Sequence, residues 1–480
     1  MIFVKVKQRF YQDSLKLMGV SGEISALAGV IQAFAFMGTE INKATRIPKE
    51  VLTEEAKLAG PDDLILMVEC ESEAIAKKAL LAFDEKITKT SMAATEGSRE
   101  IPITTLDCAV EQNPDTNLAI ISVPGEYAAA QAMRALQLGL HVHLFSDNVS
   151  IEDEVRLKKF AVSNKRLLMG PDCGTAIIQG QPLCFANAVG KGGIGMIAAS
   201  GTGAQEVSCI IDSLGEGVSH IIGVGGRDLS EEVGGLMTLY AIELLAKDPD
   251  TKVMAIVSKP PAPSVSAKIL EAVKAANKPA IFIFMGHKSD NPLYAQTLEE
   301  GAAKAVALLR GENPESAKTA FRREPVGAIS FLPGQKQIRG LYTGGTLASE
   351  AKYMLEESGI ESFEILDLGD DEYTRGALHP MIDPARRSRM VQAAVKDPCV
   401  AIVLCDVVIG FGSHPNPAGE LAKALRGVKA CVLASVTGTD ADLQNKAIQE
   451  GILKDAGILV FPSNQSAVEA AIAMKKEENR

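Results

Sequence analysis

The chain reads as an α/β protein of several doubly wound domains, and three observations predict this. Short apolar runs of four to eight residues alternate with amphipathic helical stretches along nearly the whole sequence, the pattern of parallel sheets covered by helices. At 480 residues the chain exceeds what one hydrophobic core serves, so two to four domains are expected. The chemically unusual residues gather in glycine-rich turns at the ends of the apolar runs, where open α/β sheets hold their ligands.

Composition narrows the class. Hydrophobic residues make up 46% and charged residues 23%, with 42 glycines, an ordinary globular balance. A net charge of −11 and only 5% aromatics, with no tryptophan, argue against a nucleic-acid partner, which needs a basic stripe or stacking platforms. The eight cysteines form no CxxC pair, and several sit inside apolar runs as small hydrophobes, so neither zinc nor a disulfide framework is signalled. The first residues lack a signal-peptide core, and no apolar run approaches the roughly 18 residues of a membrane span. A cytoplasmic chain without a membrane partner is expected.

The elements follow in order. A strand over 2–7 leads into Gln8-Arg9-Phe10-Tyr11-Gln12, with Asp13 or Ser14 capping a helix over 14–29. Strands over 31–36 and 64–69 follow, and the small polar stretch from Thr88 to Ser98 reads as a mobile loop. Strands over 118–123 and 142–145 alternate with helices over 127–138 and 151–163, up to Gly170-Pro171-Asp172-Cys173-Gly174-Thr175. A second unit carries strands over 194–199, 219–224, 253–258 and 280–285, with helices over 203–214, 231–246 and 264–276. The proline-containing, charged stretch 311–335 reads as a linker. A third unit has strands over 338–343, 363–368, 400–406, 430–436 and 458–462. The expected domains are 1–188, 189–320 and 321–480.

The central stretch is Ile194 to Glu206. A strand enters Ser200-Gly201-Thr202-Gly203, where glycines bare the backbone and Ser200 or Thr202 caps a helix, so an anion can approach the N–H groups. Gly225-Gly226-Arg227-Asp228 and Gly344-Gly345-Thr346 repeat the theme. Together they suggest phosphate chemistry, although tight turns also occur in αβ proteins for purely structural reasons. Arg227 is either a solvated charge or a stabiliser of developing negative charge. Lys259, before Pro260-Pro261, is either a surface residue or part of the site. His379, in a loop ordered by Pro380 and Pro384, is the best histidine for acid–base work or substrate contact, with a structural role as its rival; His414 ranks behind it. Asp370-Asp371 reads as helix capping rather than metal ligation, and no metal is expected. Cys173, with no histidine near it in sequence, reads as structural.

At these motifs the sequence resembles the FdrA family, relatives of succinyl-CoA synthetase and other ADP-forming acyl-CoA synthetases. Residues 118–175 resemble the second half of the α-subunit CoA-binding domain through Val123-Pro124 and Gly170-Pro171-Asp172-Cys173. Residues 191–286 are similar to its ligase domain through Ser200-Gly201-Thr202 and Gly225-Gly226-Arg227-Asp228. Residues 338–480 resemble the β-subunit carboxyl-terminal domain through Gly344-Gly345-Thr346 and Gly410-Phe411-Gly412. The resemblance implies a Rossmann-like, CoA-binding-type domain followed by two flavodoxin-like doubly wound domains, as in succinyl-CoA synthetase. It also implies oligomerisation and partner subunits of one enzyme complex.

The departures bear on function. Where the relatives cradle a CoA phosphate after their first strand, this chain has the glycine-free Gln8 to Gln12. Gly286-His287-Lys288-Ser289-Asp290 falls short of the relatives' phosphohistidine loop, so His287 reads as a strand-end histidine, and no ATP-grasp domain is present. Neither CoA nor nucleotide is expected as a cofactor. The resemblance then implies a component of an oxamate carbamoyltransferase, exchanging a carbamoyl group between oxalurate or oxamate and phosphate or carbamoyl phosphate in purine (allantoin) catabolism. The catalytic set would be Arg227, His379 and Lys259. Substrate and phosphate would bind at Ser200, Gly201, Thr202, Gly203, Gly225, Gly226, Asp228, Gly344, Gly345, Thr346, Gly410 and Gly412. The alternatives are an ADP-forming acyl-CoA synthetase that recruits an ATP-grasp subunit, acting on an acyl phosphate, and a non-catalytic scaffold subunit.

Overall fold

The strand directions decide the architecture, and alternation of apolar residues does not encode them. The computed structural model describes residues 1–10, 12, 14–25, 27–39, 42–43, 53–92, 103–323, 331–332, 334–374, 378–426 and 430–478. Two compact units emerge, one of residues 1–102 and one beginning at Ile103.

In the first unit, β1 (Ile2–Lys7), β2 (Val30–Met37) and β3 (Leu64–Cys70) form a sheet in the order β1-β3-β2, with β3 antiparallel to both neighbours. The helix Ser14–Ser25 makes a crossover between two parallel strands, and β3 fills the gap between them, a split βαβ. Leu64, Leu66 and Val68 point to one core with Leu17, Ile24, Phe83 and Ile87, while Ile65 and Met67 point to another with Phe36 and Ala56. The central strand is therefore buried on both faces, which its continuous apolar run anticipates. The domain expected over 1–188 is thus divided: its first 102 residues carry their own antiparallel sheet. Gln8 to Gln12 follows a strand of that sheet, so it is not the counterpart of a CoA-binding turn in a parallel one. Of the loop expected over Thr88 to Ser98, residues up to Met92 belong to the helix Glu73–Met92, and 93–98 lie outside the described residues.

The second unit holds three sheets. β4 (Leu118–Ile121), β5 (His141–Leu144) and β6 (Leu168–Met169) are parallel and carry the helices Gly125–Gln137 and Ile151–Ser163. A hairpin of β7 (Thr175–Ile178) and β8 (Gln181–Cys184) then joins the edge of a second sheet. That sheet continues with β9 (Lys191–Ala198), β10 (Val218–Gly223), β11 (Val253–Ser258), β12 (Ala280–Phe284) and β13 (Tyr294–Ala295). Its order is β13-β12-β11-β9-β10-β7-β8. The third sheet comprises β14 (Gln337–Tyr342), β15 (Phe363–Asp367), β16 (Val400–Val408), β17 (Cys431–Thr437) and β18 (Leu459–Phe461), in the order β15-β14-β16-β17-β18.

Counted within each module, the parallel strands of both larger sheets run in the flavodoxin-like order 2-1-3-4-5. This is the doubly wound α/β class that the sequence predicts. One hydrophobic core runs through both modules, with Val207, Ile210, Leu298, Val306, Leu347, Ala351 and Val468 contributed by helices of each. The stretch read as a linker is partly fastened here: Arg323 pairs with Glu299 at 2.8 Å and with Glu469, and residues 324–330 lie outside the described residues.

Candidate functional site

The site grows from two strand ends. β9 stops after Ala198, and Ser200, in extended geometry, turns its hydroxyl back to accept from Gly203 N at 3.0 Å. This cap starts the helix Gly201–Ser213. In the third module, β14 ends at Tyr342, and Gly344 begins the helix Gly345–Glu357 with no side-chain cap. The two starts meet directly. Ser200 Oγ hydrogen-bonds Thr346 Oγ1. A Cβ on Gly203 would stand 3.0 Å from Thr346 Cγ2, and one on Gly344 would stand 3.0 Å from Thr202. Each threonine therefore packs over the other turn's glycine, which is why side-chain-free residues are needed there.

The two turns differ in charge. The N–H groups of Thr343 and Gly344 both donate to the buried carboxylate of Asp406, each at 2.7 Å. Arg387 supports that carboxylate at 3.6 Å and donates to Thr343 Oγ1 at 2.6 Å. The third module thus supplies its own anion. In the second module, strand register puts Val257 where Asp406 stands: Ile197 pairs with Ile256 as Leu341 pairs with Cys405. Ala199 N donates to Val257 O, and Ser200 N has no acceptor among the described residues. With the N–H groups of Gly201 and Thr202, which lack intrahelical acceptors, this turn is open to an external anion.

Beside the paired turns lies a cluster that sequence reasoning only half identified. Asp367, at the end of β15, fixes Oδ1 on Gly369 N at 2.9 Å. Its Oδ2 lies where a Cβ on Gly345 would be, and a Cβ on Gly369 would stand 2.5 Å from His379 Nε2 and 3.3 Å from Asp367 Oδ1. Burial pushes the Asp367 carboxyl up to about 6, a rise opposed by the Gly369 hydrogen bond and by the charge of Lys259. His379 Nδ1 accepts from Met381 N at 3.2 Å, leaving Nε2 as the protonated nitrogen. Burial pulls its imidazole down to about 4, so at neutral pH it is an uncharged donor rather than a base. Phe185 packs on His379 with ring centroids 6.0 Å apart and on Phe145, at the carboxyl end of β5, at 5.4 Å. A Cβ on Gly201 would stand 3.3 Å from Thr175 Oγ1. Ends of all three sheets therefore border this cleft.

Several predicted residues stand elsewhere. Arg227 pairs with the buried Glu154 at 2.8 Å and donates to Val149 O at 2.8 Å, so it braces the helix Ile151–Ser163. Asp228 is fully buried and takes Lys158 Nζ at 2.7 Å, Met237 N, Thr238 N and the Thr238 hydroxyl, which caps the helix Leu236–Lys247. Its oxygens are spent on the fold. Gly225 has φ +86° and abuts Pro171 O, a close approach required by packing; Gly226 lies 3.8 Å from Ala199 O by the same measure and stays near the open turn. Gly410 and Gly412, both at positive φ, close against Ala186 and Phe185, and Phe411 N donates to Ala186 O, so this loop clamps the chain segment after β8. His414 Nδ1 accepts from Asn416 N. Asp370 Oδ1 accepts from Glu372 N, as a cap does. Cys173 is buried, and burial pushes its thiol up to about 12. His287 is exposed and packs on Tyr294, 5.2 Å between centroids. Asp367 and Asp406 were not singled out. A lone aspartate inside the nine-residue buried strand β16 was the available signal, since a charge buried there must be paired.

Comparison with known proteins places this geometry. The protein YahF of Escherichia coli (strain K12) is 40% identical over 500 residues, spanning 96% of each chain. The chain belongs to the YahF family. Three family models match parts of it: the heavy metal-associated domain of AllF over residues 1–102, a CoA binding domain over 191–286 and a CoA-ligase over 341–474. The succinate–CoA ligase (ADP-forming) α subunit of Aquifex aeolicus is 28% identical over 149 residues, 30% of this chain and 48% of that one. The ADP-forming sulfoacetate–CoA ligase subunit SauD of Bilophila wadsworthia is 25% identical over 232 residues, 44% and 75% respectively. The chain thus spans about half the length of the first of these ligase subunits. The fold is the α/β fold of CoA-binding and CoA-ligase domains.

The residues of the first unit do not fit a heavy-metal ion. The connection after β1 contains neither cysteine nor histidine. Cys70 is fully buried and donates to Ser72 O. Among the described residues no group of three His, Cys, Asp or Glu side chains is arranged to hold a metal. No helix among them is long and apolar enough to cross a membrane.

Proposed function

We propose that the chain is the acyl-transfer component of an acid–thiol ligase-like enzyme complex and works through a small acyl phosphate. One observation carries this reading: at equivalent positions Gly344 N is held by Asp406, while Ser200 N has no acceptor among the described residues and adjoins the unbonded N–H groups of Gly201 and Thr202. The phosphate would lie on the amides of Ser200, Gly201 and Thr202, with Lys259 near enough to act on the same cleft. Gly203 keeps the approach clear, Gly344, Gly345 and Thr346 form the opposite wall, and His379 presents a neutral N–H to the acyl side. Orientation and fixed donors supply the catalytic effect. The CoA ligases similar to this chain are described as subunits, so ATP binding would fall to a partner. CoA, where used, would approach the open turn along residues 191–286, the stretch matched by the CoA binding domain.

Phosphate titration of the full chain by calorimetry, followed by acyl phosphate turnover with partner subunits and CoA, tests the reading. Saturable phosphate binding lost in Lys259→Ala is expected. Absence of phosphate binding together with absence of turnover overturns it.

A second reading is favoured by a specific observation. Exposed His287 packs on Tyr294, and His379 beside the paired turns is uncharged with Nδ1 held by Met381 N, which favours a substrate that needs no phosphohistidine. A diffusible carbamoyl phosphate needs none. In this reading the chain is an FdrA-type component of an oxamate carbamoyltransferase of purine catabolism, as the sequence resemblance implies. Phosphorolysis of oxalurate without ATP or CoA separates it from the ligase.

A further inference from the structure

We infer that Asp367 is the acid–base residue of this site, carrying the proton between the acceptor and the departing phosphate. The inference rests on the acyl phosphate reading above and deepens it. Asp367 has one oxygen pinned and one free: Oδ1 accepts from Gly369 N, and no donor among the described residues bonds Oδ2. Two glycines create its seat. A Cβ on Gly345 would overlap Oδ2, and a Cβ on Gly369 would crowd Oδ1 and His379 Nε2 together. Oδ2 is thereby held at the start of the helix Gly345–Glu357, the helix whose neighbour across the contact carries the open turn. Strand register puts Gly223 at the equivalent place in the second module, since Ala198 pairs with Gly223 as Tyr342 pairs with Asp367. The carboxylate is therefore particular to one side of the cleft, opposite the anion seat.

The chemistry balances with these groups alone. The acceptor's N–H or S–H attacks the acyl carbon, forming the new N–C or S–C bond. The C–O bond to phosphate breaks, and its electron pair leaves with the phosphate. The acceptor's proton passes to Asp367 Oδ2 and then to the phosphate, which departs as hydrogen phosphate. The reverse sequence is phosphorolysis. Half-burial keeps the carboxyl close to the pH at which it both takes and gives a proton. The neutral His379, its Nε2–H facing the same space, holds the acyl oxygen without competing for that proton.

The test uses the full chain with its partner subunits, an acyl phosphate and its acceptor. Asp367→Asn is expected to lower kcat by about 10²–10⁴-fold, to leave KM for the acyl phosphate nearly unchanged and to erase the acidic limb of the pH profile. Formate is expected to restore part of the activity of Asp367→Ala, which a merely structural carboxylate would not allow. An Asp367→Asn enzyme with wild-type kcat and an intact acidic limb overturns the inference. A readout independent of turnover separates this failure from failure of the function itself. Carboxyl carbon NMR of the wild-type chain is expected to show the Asp367 midpoint rising when inorganic phosphate is added, because a like charge arrives nearby. A midpoint that phosphate leaves in place overturns the inference even if acyl phosphate turns over. A phosphate-linked midpoint in a complex without turnover overturns the proposed function and leaves the placement of Asp367 standing.

Discussion

Glu350 gives the sharpest quantitative test of how the two flavodoxin-like modules hold together. It is fully buried, accepts from Leu298 N at 2.7 Å and Asn464 Nδ2 at 2.8 Å, and burial pushes its carboxyl up to about 8. Because the folded value lies above the unfolded value of 4.5, the folded chain keeps a proton in this interval that the unfolded chain releases. The contribution is complete below pH 4.5 and is lost as pH rises through about 8. At about 1.4 kcal/mol per pH unit, the interval corresponds to about 5 kcal/mol. The burial of Glu206 and Asp367 raises their carboxyls too and tilts stability the same way, so the decisive quantity is a difference between variants. Glu350→Gln keeps an acceptor for Leu298 N, and its amide, like the protonated carboxyl, meets Asn464 Oδ1 once the Asn464 amide turns over and releases Leu347 O. Thermal and urea unfolding of both chains between about pH 5 and 8.5 should show them alike at the acid end, with the variant gaining steadily toward the alkaline end. Parallel pH dependences for wild type and variant would refute the assignment.

Three further outcomes follow from the site. Gly345→Ala drives a methyl into Asp367 Oδ2, so turnover should fall by more than about tenfold for an overpacking cost of about 1–3 kcal/mol; a fully active variant would place the chemistry elsewhere. Ser200→Ala removes the cap on Gly203 N and the hydrogen bond to Thr346, and should cost about 1 kcal/mol and weaken phosphate binding measured by calorimetry. Arg227→Ala should lower the melting temperature by unpairing Glu154 yet leave kcat within about twofold, because its guanidinium braces the helix Ile151–Ser163; a large loss of kcat with unchanged KM would restore it to the site.

What the sequence made legible was local. Apart from β7, β8 and β13, which periodicity does not place, the strands of the second unit lie in apolar runs between glycines and prolines, and their expected positions are close to those observed. Ser200 as cap and Gly203 as a position without room for a side chain were readable for the same reason. Direction and order were not, because alternation looks identical in parallel and antiparallel strands; only pairing shows that β3 runs antiparallel between β1 and β2. Arg227 follows two glycines at a strand end, which resembles a site, but its partners Val149 and Glu154 lie far upstream and are invisible to a local motif. Asp367 was the opposite case. Within Asp367-Leu368-Gly369-Asp370-Asp371 it looks like one more turn residue, and its environment is made by Gly345 and His379 from other segments.

The two modules show how such a site arises from one repeated plan. Their strand orders agree, and Gly201, Thr202 and Glu206 recur at the same spacing as Gly345, Thr346 and Glu350. The glutamates are exchanged: Glu206 accepts from Asn464 N at the start of the third module's last helix, and Glu350 from Leu298 N at the start of the second module's last helix. Each module therefore caps a helix of the other, which fixes the turns head to head. Against that shared frame two of the differences concern charge. Val257 and Gly223 stand where the third module has Asp406 and Asp367. In the proposed reading, breaking an acyl–phosphate bond needs one positive seat for the phosphate and one proton carrier facing it, and divergence at these two strand positions would supply that pair.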